Sequence, residues 1–119
     1  MTFDKDARKL HNETSLNKVL VLFLYASEAD FLPLKQHLYP LLSPFEQAKI
    51  DKYRVANAAV LSMAGKYLLL KGLQYFKLSP PINLADLDYS EFKRPIISPK
   101  IDFNISHSGD VVSLSLIHI

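Results

Sequence analysis

The sequence contains no cysteine. That excludes a disulfide, a thiolate metal site and a cysteine nucleophile. An excess of one charge is also missing: 14 Lys and Arg stand against 12 Asp and Glu, a net charge of +2. A duplex nucleic-acid binder carries a far stronger basic face, so no nucleic-acid partner is expected. Long apolar runs are absent. The longest near the N-terminus, residues 19–26, falls well short of the ~20 residues a spanning helix needs. It is also too short, and lacks the small-residue cleavage site, for a signal peptide. The expected location is therefore cytoplasmic, without a membrane partner. What remains is ordinary for a folded chain: 49% apolar and 22% charged residues, wrong for a disordered one. At 119 residues it makes one compact domain or one lobe of a larger one. A core of that size buries roughly two-thirds of the unfolded surface and holds without covalent staples.

Residues 1–16 read as a polar, loosely ordered lead-in, and 17–119 as the folded unit. Residues 19–25 are apolar on both faces and rich in strand formers, which predicts a covered strand. Ser27-Glu28-Ala29-Asp30 reads as a turn and helix start. Leu32, Leu34, His37, Leu38, Leu41 and Leu42 recur at near-helical spacing, with Pro33 and Pro40 limiting any helix to a few turns. Ser43-Pro44-Phe45-Glu46 is a strong helix start, with a capping serine, a proline at the first position and a glutamate placed for a capping box. Phe45, Ala48, Ile50 and Tyr53 form its expected apolar stripe. A long helix follows over Ala56–Phe76. It is apolar on most of its girth, and Gly65 marks close packing against another element.

Beyond Ser79-Pro80-Pro81, residues 82–100 read as short strands and turns. Residues 101–106 alternate apolar and polar positions, a half-buried strand. Ser108-Gly109-Asp110 is a turn, and 111–116 a second strand, completing a hairpin. The expected fold class is α+β, a small antiparallel sheet of 19–25, 101–106 and 111–116 packed on the long helix. The uncharged, β-prone run 111–117, left at a sheet edge, is a template for self-association.

The segment Asn104-Ile105-Ser106-His107-Ser108-Gly109 crowds hydroxyls, an imidazole and permissive backbone at a strand end. Two readings stand. One is a hydrogen-bonded turn with His107 satisfied by backbone. The other is a set of donors for anionic oxygens, with a histidine able to become cationic. Lys49 and Lys52 likewise read either as a solvated helix face or as phosphate ligands.

Phe103-Asn104-Ile105-Ser106-His107-Ser108-Gly109 resembles the F-N-[IVL]-S-H-S-x motif of the 4'-phosphopantetheinyl transferases of the two-lobed, surfactin-synthetase-activating type. Glu91-Phe92-Lys93-Arg94-Pro95 is similar to that family's E-[YF]-G-K-P segment. Leu42-Ser43-Pro44 with Lys49, Lys52 and Tyr53 resembles its L-S-P-x-E-x-x-[KR]-x-x-[KR]-[FY] helix. The likeness runs from about Val19 to Leu116. It implies transfer of the phosphopantetheine arm of coenzyme A to a serine of an acyl or peptidyl carrier protein, releasing 3',5'-adenosine diphosphate.

By the same resemblance Ser106 and His107 meet coenzyme A phosphate oxygens. Arg94 stands where the family places a phosphate-binding lysine, and Lys49 matches a further basic position. Two departures fall within the stretch of the likeness. Lys93 occupies the glycine of G-K-P, and Leu61 falls where the family commonly has an arginine for the 3'-phosphate.

The family's Mg²⁺ motif G-[ILV]-D-[ILV]-E and catalytic motif W-x-x-K-E have no counterpart: the sequence has no Trp and no Lys-Glu dipeptide. No catalytic or metal residue is therefore assigned, and the chain reads as an N-terminal lobe inactive alone. The alternative function is a non-catalytic module that binds coenzyme A or pairs with a second lobe.

Overall fold

In a computed structural model, residues 8–13, 18–53, 56–77, 81–87 and 96–118 are described. The strands are β1 (Arg8–Glu13), β2 (Lys18–Tyr25), β3 (Ile101–Ser108) and β4 (Val111–His118). The helices are α1 (Phe31–Leu38), α2 (Pro44–Asp51) and α3 (Ala56–Phe76). The four strands form one antiparallel sheet in the order β1-β2-β4-β3. This is an α+β architecture, with the sheet packed on a long helix.

Alternation decides which face of the sheet is buried. Leu20, Leu22 and Leu24 of β2, Val112, Leu114 and Leu116 of β4, and Ile101 and Phe103 of β3 all lie in the core. Their intervening neighbours are half-buried or exposed. The buried face meets α3, on which every residue from 63 to 69 is buried. That girth is explained by a third layer: α1 packs on α3 through Leu34 and Leu38. His37 sets its ring edge-on to Tyr67 at 6.0 Å.

Four features differ from the sequence reading. Arg8–Glu13, placed in the loosely ordered lead-in, is a strand paired along its whole length with β2. Its polar sequence RKLHNE carries little strand signal, and the partner strand supplies the order. The run 111–117 is not an edge: β4 lies between β2 and β3, its backbone groups engaged on both sides. The edges are β1 and β3.

On α2 half of the expected apolar stripe holds: Ile50 is buried and Tyr53 packs on the core, but Phe45 and Ala48 are exposed. Glu46 is buried. The helix still starts as expected, with Ser43 Oγ accepting from the Glu46 N–H at 3.3 Å. The glutamate side chain does not return to complete a capping box; it goes inward. Finally, the described part of 82–100 holds a single 3-10 turn, Leu84–Asp86, and one isolated bridge, Ser98 to Ile101, rather than short strands.

α1 and α2 are tied side by side. Tyr39 donates its hydroxyl to Asp51 Oδ2 at 2.7 Å, and Lys35 stands 3.6 Å from Oδ1 of the same carboxylate. Gln47 donates to the Tyr39 carbonyl at 2.7 Å. The hydrogen bond to Asp51, helped by desolvation and the carboxylate charge, pushes the Tyr39 phenol above its usual pKa of 10.0. The protonated phenol is the bonded form. The tie is therefore intact below pH 10 and is lost as pH rises through the raised pKa.

α3 ends at Lys77, whose φ of 51° is left-handed. That position suits glycine, and a side chain there costs about 1 kcal/mol. Lys77→Gly is accordingly expected to stabilise the protein by about 1 kcal/mol, seen as a higher midpoint in thermal unfolding. An unchanged or lower midpoint would show that the Lys77 side chain makes a compensating contact.

Candidate functional site at the β3–β4 hairpin

The β3–β4 turn is a two-residue loop, with Ser108 opposite Val111. Gly109 takes its first central position with φ 58°, the torsion a type II′ hairpin asks of glycine. The Ala26 N–H donates to the Asp110 carbonyl at 2.8 Å, fastening the turn to the end of β2. The hairpin tip is thus a held platform that presents exposed Ser106, His107 and Ser108.

The strand period separates the two adjacent candidates. Ser106 pairs with Ser113 on the sheet face that no described helix covers, beside Asn104 and Ser115. The Ser106 and Ser113 hydroxyls lie 2.8 Å apart. Two hydroxyls hold two protons, and their mutual bond uses one. The pair keeps one donor for an incoming anion. His107 pairs with buried Val112 and so stands on the helix side of the sheet, beyond Ile105. It makes no side-chain hydrogen bond among the described residues. An anion held by both groups would have to sit at the outer edge of β3, where the two faces meet.

Ile105 explains how this strand end is placed. Its Cγ2 lies only 2.7 Å from where a Cβ on Gly65 would stand. A residue with a side chain at 65 would lift β3 off α3. The close approach that Gly65 suggested in the sequence is therefore made to β3, two residues before His107.

Lys49 lies half-buried on α2, one turn after Glu46. Arg94 lies outside the described residues, as does the rest of 91–95. Leu61, at the family's arginine position, is half-buried against the core. Lys66 does not replace that arginine. It is buried, with its ammonium 3.2 Å from Glu46 Oε2 and donating to Ser62 Oγ at 3.0 Å. Glu46 is fully buried, and among the described residues neither of its oxygens has a hydrogen-bond partner. Sequence reasoning missed this pair. The available signal was a lone lysine inside seven residues of α3 that are otherwise apolar or glycine.

No group of three or more His, Asp or Glu side chains able to hold a metal occurs among the described residues. The exposed Asp110 follows His107 by three residues in the hairpin turn. No described helix is long and apolar enough to cross a membrane. A separate cavity of about 220 Å³, lined by Leu70, Leu73, Gln74, Lys77, Pro81 and neighbours, lies at the C-terminal end of α3, away from the hairpin tip. Comparison with protein-family models, with curated proteins and with solved structures found no match.

Proposed function

We propose that this chain is a coenzyme A-binding lobe of the 4'-phosphopantetheinyl transferase type, which does not transfer the arm by itself. The observation that carries the reading is the hairpin tip. The segment Asn104-Ile105-Ser106-His107-Ser108-Gly109 ends an exposed edge strand, and its hydroxyl and imidazole donors are directed outward rather than consumed by the core. Such donors suit the phosphate oxygens of a nucleotide. Lys49 and Arg94 would add charge. In a carrier-protein reaction the arm would pass to a carrier serine. This chain supplies no carboxylate cluster for a metal among its described residues, and we assign no step to one.

Coenzyme A titrated calorimetrically into the protein should bind weakly, and more weakly with added salt, as phosphate contacts dictate. His107→Ala should lose about 1–3 kcal/mol of that binding, the scale of a charge-assisted hydrogen bond. Incubation with coenzyme A, Mg²⁺ and a carrier protein should give no modified carrier by mass spectrometry. Absence of any heat at millimolar coenzyme A would remove the reading. A modified carrier would show that the lobe is an enzyme.

A further inference from the structure

The hairpin tip and the coenzyme A reading leave the cavity at the C-terminal end of α3 unused. Its volume is about 220 Å³. An apolar cavity of about 150 Å³ holds benzene, so this one takes a body of roughly eight carbons. Its wall is apolar: Leu73 is buried, and Leu70 and Ile82 are half-buried. Its rim is polar, with Gln74, Lys77 and Asn83 all exposed. An apolar chamber with a few polar groups converging at its mouth is the usual form of a small-molecule site.

Charge narrows the occupant. Among the described residues the lining holds one cation, Lys77, and no carboxylate. It therefore complements an anion and repels an amine. The side-chain amides of Gln74 and Asn83 can each donate to an oxygen as well. One lysine and two amides match a single carboxylate, whereas phosphate groups are recognised by clusters of cations.

Lys77 also holds its place against the backbone. Its φ of 51° is left-handed, and glycine takes that conformation without penalty. Glycine would remove the ammonium from the rim. Residues kept in such conformations gather at ligand sites.

We propose that this cavity binds a small carboxylate with an apolar body of roughly eight carbons. The body lies against Leu70, Leu73 and Ile82, and Lys77 holds the carboxylate. This does not depend on the coenzyme A reading.

The test titrates octanoate, and separately its neutral counterpart octanol, into the full chain, with leucine and isoleucine methyls followed by NMR. The methyls of Leu70, Leu73 and Ile82 should shift saturably at millimolar octanoate. Lys77→Gly should weaken octanoate about fivefold, the upper end of what an exposed ion pair contributes, and leave octanol affinity unchanged. Added salt should weaken octanoate in the wild type and have no such effect in Lys77→Gly. The variant is expected to fold, since it relieves the left-handed residue. No movement of those three methyls at millimolar octanoate, or movement of methyls elsewhere alone, overturns the proposal. Equal weakening of octanoate and octanol in Lys77→Gly also overturns it, because glycine would then have loosened the cavity wall rather than removed a charge partner.

Discussion

Lys66→Met should destabilise the protein by about 3–5 kcal/mol. The reason is what the change leaves behind. Glu46 is fully buried and has no hydrogen bond to either oxygen among the described residues; the Lys66 ammonium at 3.2 Å is its charge partner. Taking that ammonium away strands an ionised carboxylate in the core, where solvation cannot reach it. Losing the Lys66 bond to Ser62 adds a smaller term, about 1 kcal/mol. Urea unfolding followed by circular dichroism measures the sum. The same experiment on E46M/K66M separates the pair's worth from the penalty of orphaning one member. The double variant should return to within about 1–2 kcal/mol of the wild type, because both charges leave together. A single variant no less stable than the double one would mean that Glu46 finds water or another partner.

Gly72→Val should cost about 2–3 kcal/mol, set by overpacking. A Cβ at 72 would stand 2.7 Å from Leu116 Cδ2 and 3.2 Å from Leu114 Cδ2. Both leucines are fully buried in the sheet's core face, so their methyls have no free space to turn into. Valine then adds two more carbons at the same point. Leaving glycine in a helix interior recovers less than about 1 kcal/mol, too little to offset the clash. Gly65→Ala makes the informative comparison. Its clash, with Ile105 Cγ2, has the same 2.7 Å distance. However, Ile105 is half-buried on an edge strand that can move outward. The net loss at 65 should be smaller in unfolding experiments. On the proposed coenzyme A reading it should instead appear as weaker ligand binding, since β3 carries Ser106 and His107. Equal stability losses at 65 and 72 would show that the β3 edge is as rigid as the interior of the sheet.

The two substitutions mark where sequence reading succeeds and where it stops. The long helix Ala56–Phe76, the strands around 19–25, 101–106 and 111–116, the Ser43 cap and the glycine turn at 109 were all legible. Each is specified by neighbours within a turn or two of chain: periodicity, a capping residue, a proline, a positive φ. The α2 face was misread because Phe45 and Ala48 are apolar and Glu46 is charged. Composition places Phe45 inside and Glu46 outside; the structure does the reverse, because a cation twenty residues away receives the carboxylate. The candidate site was legible as chemistry in the residues 104–109. Its geometry was not, since facing depends on which strands pair and which side α3 covers.

By itself, then, the sequence determined the long helix α3, the strands β2, β3 and β4 and the start of α2, because these depend on local pattern. Only the tertiary structure decided three things. β4 became a central strand rather than an edge. The polar stretch Arg8–Glu13 became a strand through its pairing with β2. Ser106 and His107, neighbours in the chain, came to project to opposite faces of an edge strand. Each follows from contacts between residues far apart in sequence. Such contacts form only when burial and backbone pairing across the whole chain are satisfied together, so no local window of residues contains them.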